Sequence, residues 1–545
     1  MNAQAIRPAI TDHTEPQVRP QTATHPMAWL TAAAGILAVA AFVRLYALEL
    51  RPLHHDEGVN AFFIMQLFNG GGYQYDPANY HGPTLYYLAL VAVRAQGLTI
   101  FAMRLVPAVC GIATVWLILS LRRYIGTFGA LAGALLIAVS PGAVYMSRYF
   151  IHESLFVFFT LGVVVAGFRY AETGRSIYLM CASVAAGLVL ATKETAIISA
   201  AVLVMAIFLT PMFIDIRSAL RARYRSSEQP RQTDATEPGL MTDVQISPRR
   251  RGEIIRPLIN WVAASGLFIL VIAIFYSALF TNHQWLGNIL KSYQYWARAG
   301  RSEHMHSWYT YFLWLMQEDG LLLVSGLIGV GLISWRSTSR FPVFAAIWLC
   351  GMLGAYSIVP YKTPWLALNF IIPLAITGGY AANAIWERAA TKKQRAFVAG
   401  GLGLVIAVAS YQMVRLNFLE YDDGRHPYVY AHTRRELLSL VAEVSRIADR
   451  AGTGSGTTIT ITSSEYWPLP WYLRNYQQVA YPEQVSNLNA NIVIGSPDQE
   501  SELQSKLSQR YERVAAYILR PGVNLVLYAR RDHAEAEQSM RPQER

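Results

Sequence analysis

Apolar residues in this chain gather into runs of about twenty, separated by short polar turns. A run of that length crosses a hydrocarbon core of about 30 Å as a helix rising about 1.5 Å per residue. The pattern predicts eleven spans, near 27–48, 103–121, 128–146, 154–171, 176–192, 194–214, 258–280, 312–335, 341–359, 365–386 and 395–416. The apolar piece at 83–96 is shorter and carries Arg94 near its end, which suits an interfacial or re-entrant helix. From 417 to 545 the long runs stop. There Thr457 to Thr462, Ala490 to Ile494 and Leu525 to Ala529 read as β-strands, and Glu500 to Arg513 as a helix. The expected fold is a polytopic α-helical membrane protein of about eleven spans plus an interfacial helix, with a small C-terminal α/β domain.

Composition agrees, at 53% hydrophobic and 15% charged residues. The net charge of +11 is concentrated in one polar stretch at 216–256 and in turns such as Arg122–Arg123, Arg169 with Arg175, and Arg388 to Arg395. That is the positive-inside pattern of cytoplasmic loops, and no basic module interleaved with aromatics accompanies it, so nucleic acid is not an expected partner. Residues 1–26, polar and Pro-rich, read as a disordered cytoplasmic tail, and 216–256 as a disordered cytoplasmic insert. Residues 27–416 then form the membrane domain and 417–545 an extracytoplasmic one. Cys110, Cys181 and Cys350 fall inside apolar spans, which argues against disulfides and a zinc site.

With the basic turns inside, the unusual residues collect on the outer face. The first outer loop, about 49–102, holds His54-His55-Asp56-Glu57-Gly58, the Gly70-Gly71-Gly72 hinge and Tyr80-His81-Gly82-Pro83. Later outer loops hold Arg148 to Glu153, Lys193-Glu194, and Tyr361-Lys362-Thr363-Pro364-Trp365. Each could be structural alone, as a hydrated helix end or a snorkelling cation. Four clusters on one face instead suit transfer of a sugar from a polyprenyl-phosphate donor. Asp56 or Glu57 could take the proton of an acceptor hydroxyl, with inversion if base and leaving phosphate lie on opposite faces of the sugar. Arg148, Lys193 and Lys362 could hold the lipid phosphate. His55, His81, His152, Glu153, Glu194 and Tyr361 complete the candidate substrate-binding set. No tight Asp-x-Asp pair stands out, so the expectation is no cofactor and no metal, although Glu153 could hold a divalent ion. The aromatic stretch 281–307 reads as an outer interfacial loop that could stack on sugar or lipid.

These motifs resemble the GT-C superfamily of membrane glycosyltransferases, which includes protein O-mannosyltransferases and lipid A aminoarabinose transferases. Within it, the likeness is greatest to a group of archaeal and bacterial flippase-activity-associated proteins. It rests on Asp56-Glu57 after the first span, Gly82-Pro83 before Tyr86-Tyr87-Leu88, Arg104-Leu105-Val106-Pro107, Arg148 to Glu153 and Lys193-Glu194. It covers about 28–215 in order and is looser beyond 258. The resemblance implies that Asp56 is the catalytic base and that cations of the later loops, Arg148, Lys193 and Lys362, hold the donor phosphate. Where many relatives have Lys-Pro-Pro or His-Pro-Pro, this chain has His81-Gly82-Pro83, and His152-Glu153 stands where some have Leu-Asp.

Two function classes follow. The first is a glycosyltransferase, of hexosyl or mannosyl type, acting on a protein, glycan or lipid acceptor at the outer face of the plasma membrane. The alternative is a non-catalytic lipid-linked-sugar binding or flipping-associated protein on the same scaffold.

Overall fold

The computed structural model describes residues 26–71, 73, 75–79, 81–228, 251–299, 304–482, 485 and 489–531. The chain enters the bundle through α1 (Pro26–Leu45), then forms α2 (His55–Phe68) and α3 (Thr84–Gln96) on one rim. It continues through α4 (Ile100–Ser120), the single turn α5 (Arg122–Ile125), α6 (Thr127–Val139), α7 (Pro141–Ser147), α8 (Glu153–Thr173) and α9 (Ser176–Thr192). Next come α10 (Ala196–Glu228), α11 (Arg251–Tyr276), α12 (Trp285–Ala299), α13 (Thr310–Arg336), α14 (Arg340–Ile358), α15 (Leu368–Arg388) and α16 (Lys392–Val414). Among the described residues nine helices are long and apolar enough to span a membrane. The predicted span at 128–146 is instead α6 and α7, bent by 59° with Ser140 at the corner, and the one at 176–192 is the 17-residue α9. Ser140 caps α7 by accepting from the Ala143 amide, and Pro141 opens the helix, so the bend is written into the local sequence.

Both ends of α3 lie on the same rim. Thr84 donates to the Ala191 carbonyl at the end of α9, and the Phe101 amide, just past α3, donates to Glu49, just past α1. With 13 residues α3 is about 20 Å long, short of a bilayer core. Two expectations need correction here. The stretch at 281–307 contains the amphipathic helix α12 where a loop was expected, and α10 and α11 run well into the expected insert at 216–256. What remains of that insert between Glu228 and Arg251, and the expected N-terminal tail up to residue 25, lie outside the described residues.

Beyond α16 a linker leads to α17 (Glu436–Arg450), β1 (Thr458–Ile461), α18 (Leu469–Tyr472), β2 (Gln478–Ala480), β3 (Ile492–Gly495), α19 (Glu500–Leu507), β4 (Tyr511–Arg520) and β5 (Val523–Arg530). The sheet has the order β2-β1-β3-β5-β4, with β1 parallel to β2 and β3, and β5 antiparallel to β3 and β4. The helix expected to reach Arg513 ends at Leu507, because Tyr511 onward pairs with β5. Leu437, Leu440, Val444 and Ile447 bury one stripe of α17 in the core with Ile459, Ile461 and Leu527. This domain is seated on the α2 rim. Gly58 abuts Pro468 so closely that a Cβ would collide, Phe62 meets Trp467 edge-on, and the Leu53 amide donates to the Tyr472 hydroxyl.

Candidate active site

Residues 54–57 are fixed by helix-capping chemistry before any ligand is considered. His54 is the N-cap of α2 and forms a reciprocal capping box with Glu57. The His54 Nδ1 accepts from the Asp56 amide at 3.1 Å, so Nε2 carries the proton and donates to the Tyr430 carbonyl at 3.0 Å. Burial pushes the His54 imidazole below its usual range despite Asp56 nearby. Its 3.9 Å approach to the Asp56 carboxylate is therefore not an ion pair.

Glu57, expected beside Asp56 in catalysis, belongs to the frame. Its carboxylate accepts twice from Arg104 at 2.7 Å, from the His54 amide at 3.0 Å and from the Phe150 amide at 2.7 Å. Burial would raise this carboxyl, but the Arg104 guanidinium outweighs it and holds it below the usual range. Four accepted bonds leave it no capacity to take a substrate proton. Asp56, at the next position back, turns the other way. Its side chain is 37% exposed and no described residue donates to its carboxylate.

Asp56 opens into a cavity of about 540 Å³ between α2, the α7–α8 corner, the α9–α10 corner and the C-terminal domain. His55, His81, His152, Glu153, Lys193, Glu194 and Tyr361 line it, so the structure brings eight of the eleven candidate residues together with Asp56 included. Glu153 and Lys193 form a buried ion pair, and His81 Nδ1 meets Glu194 at 2.9 Å. His152 Nε2 lies 3.0 Å from the Gly82 carbonyl. Gly82 itself donates to the Thr192 carbonyl, and a Cβ there would sit 2.1 Å from the Ala191 oxygen, which explains glycine at this position. Burial holds His55 down to about 4, so it is neutral at pH 7.

Arg148 and Lys362 do not line the cavity. The Arg148 guanidinium donates to the carbonyls of Val43, Arg44, Tyr46 and Ala47, closing the C-terminal end of α1. Lys362 Nζ donates to Tyr356, Ser357 and Val359 and does the same for α14. Both satisfy helix-end carbonyls, a demand that any helix terminus makes. The structure therefore does not bring these two expected phosphate ligands into the cavity. The sequence reading missed Arg520 and Glu465, which reach the cavity from the C-terminal domain, and Tyr430 from the linker before it, whereas His304 comes from the aromatic stretch expected near sugar or lipid. No local motif marks the first three. Among the described residues no three carboxylates, histidines or cysteines are grouped as metal ligands.

Residues 80–223 match the family model of dolichyl-phosphate-mannose-protein mannosyltransferases. No curated protein sequence matches the chain. Among solved structures, it is similar to ArnT from Cupriavidus metallidurans bound to undecaprenyl phosphate, with a TM-score of 0.60, 15% identity, 92% of this chain and 98% of that one covered. The apo state of the same protein gives a TM-score of 0.56 at 14% identity, covering 93% and 98%. The archaeal oligosaccharyltransferase AglB from Archaeoglobus fulgidus, in complex with an inhibitory peptide and a dolichol-phosphate, gives 0.51 at 14% identity, covering 87% and 70%. At these identities the likeness is one of fold.

Proposed function

Starting from the GT-C fold that this chain shares with those structures, we propose that it transfers a sugar from a polyprenyl-phosphate donor to an acceptor hydroxyl, with Asp56 as general base. One observation carries the assignment. Of the carboxylates lining the cavity, Glu153 is paired with Lys193, Glu194 with His81 and Glu465 with Arg520, while Asp56 alone has no donor among the described residues. A base must keep a lone pair free for the proton it removes. The acceptor oxygen attacks the anomeric carbon, its proton passes to Asp56, and the bond from that carbon to the phosphate oxygen breaks. Polyprenyl phosphate leaves with the bonding pair. Attack opposite the leaving phosphate inverts the anomeric centre. The relatives' bound lipid phosphates support the donor class, and the matched family's printed description supports a hexose such as mannose.

The test is transfer from radiolabelled polyprenyl-phosphate sugars by the purified protein in liposomes. Asp56→Asn preserves shape and removes the basic oxygen, so turnover should fall by about 10²-fold or more, the range general-base assistance commonly supplies. A fully active Asp56→Asn protein refutes the mechanism. We further expect transfer to persist in excess EDTA. A large loss reversed by added Mg²⁺ or Mn²⁺ would show that a metal takes part.

A further inference from the structure

We propose that Arg520, brought in by the C-terminal domain, is the cation that receives the donor's phosphate, leaving Glu465 to do so. The inference rests on the transferase reading above and adds a domain to its donor site. Six charged side chains line the cavity besides the histidines: Asp56, Glu153, Glu194 and Glu465 against Lys193 and Arg520. An anionic phosphate entering this set needs a cation whose present partner can be given up. Lys193 is a poor choice. Its ammonium and the Glu153 carboxylate are both about 4% exposed, and separating them would leave a buried carboxylate without compensation.

Arg520 differs in that respect. Its side chain is 9% exposed, yet its ion-pair partner Glu465 is 53% exposed and can return to water when the guanidinium turns away. Its other contact is a long one, 3.3 Å from Nη1 to the Trp467 carbonyl. Arg520 ends β4, directly before the Pro521–Gly522 turn, so the sheet fixes its backbone beside the cavity. The planar fork matches a phosphate in two-point contact. Arg520 and Asp56 line the same cavity, which brings cation and base to one site.

The exchange makes two predictions of opposite sign for full-length protein in nanodiscs, read as affinity for unglycosylated polyprenyl phosphate. Arg520→Gln should weaken binding tenfold or more, and Arg520→Lys should fall between it and wild type. Glu465→Gln, which removes the competing carboxylate, should tighten binding severalfold. A pair that only braces the C-terminal domain internally would not tighten binding when broken. Wild-type affinity in Arg520→Gln, or binding in Glu465→Gln no tighter than wild type, overturns the inference while leaving Asp56 catalysis standing. Should Arg520→Gln fail to fold, the Lys and Glu465 variants decide. A wild-type protein that neither binds polyprenyl phosphate nor transfers sugar overturns the parent reading, and this one with it.

Discussion

Asp56 and Glu57 are adjacent in sequence, yet the structure gives them opposite work. Glu57 and Arg104 are both fully buried, and breaking such a pair typically costs about 3–5 kcal/mol. Glu57→Gln should therefore lower the unfolding temperature sharply, whereas Asp56→Asn should leave it unchanged. Equal unfolding temperatures for the two variants would contradict the division. Arg148→Ala belongs with Glu57→Gln, since it strips donors from four carbonyls of the α1 end. It should reduce stability and yield while the folded fraction keeps wild-type polyprenyl-phosphate affinity. The acidic pair was legible in the sequence because carboxylates directly after a long apolar run must meet water or a partner. Which of the two stays free was not, because Arg104 and the Phe150 amide approach Glu57 from 47 and 93 residues away. Arg148 and Lys362 misled for the opposite reason. A cation at a span's end suggests a headgroup or a phosphate, and only the folded backbone reveals carbonyls waiting for it.

At the scale of elements, the apolar rhythm fixed the helices better than their ends. Runs of twenty residues leave little choice of secondary structure, but the break at Ser140 is too short to lower the mean hydropathy of the run below that of a span. The α12 helix hid because its aromatics suggested an interfacial loop, and the start of β4 because Glu512 and Arg513 continue the polar run of the preceding helix. The contact between the 81–83 corner and the end of α9 sets the cavity wall that carries His81 and Glu194. Gly82→Ala would force a Cβ into the Ala191 carbonyl and displace that corner. We expect transfer to fall at least tenfold while most helical signal by circular dichroism is retained. Wild-type activity in this variant would show that the corner does not matter to the site.

Across the whole molecule, burial depresses the imidazoles of His54, His55, His152 and His432, taking His55 to about 4. The unfolded chain, with histidines near 6.5, then binds more protons than the folded one between about pH 4 and 6.5. Stability contributed by these neutral histidines is complete above about 6.5 and is lost as pH falls. His426 acts in the opposite sense, since Glu420 and Glu318 overcome its burial and raise it, so its contribution is present at low pH and lost on alkalinisation. Burial depresses His306 as well, so the lowered imidazoles number five against one raised. The unfolding temperature should decline between pH 7 and 4.5, and His55→Gln should flatten the decline. A pH-independent value over that window would mean these histidines are hydrated. The helix directions also place the C-terminal domain on the cavity rim and the basic turns at the far ends. Cysteines introduced at 175 and 480 should thus label from opposite sides of a sealed vesicle.

The arginine framework around residues 43–57 has a consequence for how the chain is made. Arg51 donates to the Tyr145 and Arg148 carbonyls, Arg104 to Glu57, and Arg148 to the end of α1, so three guanidinium groups on the rim opposite the basic turns find hydrogen-bond acceptors in one another's segments. During synthesis α1 emerges about a hundred residues before Arg148 can reach it. A nascent chain stopped after α5 would hold Arg51 and the α1 carbonyls without their partners, and Glu57 without the Phe150 amide. The stretch from α1 through Phe150 therefore matures together, and a ribosome-released fragment ending near residue 125 should be a substrate for membrane quality control, whereas one ending after α10, which also supplies Lys193 to Glu153, should persist.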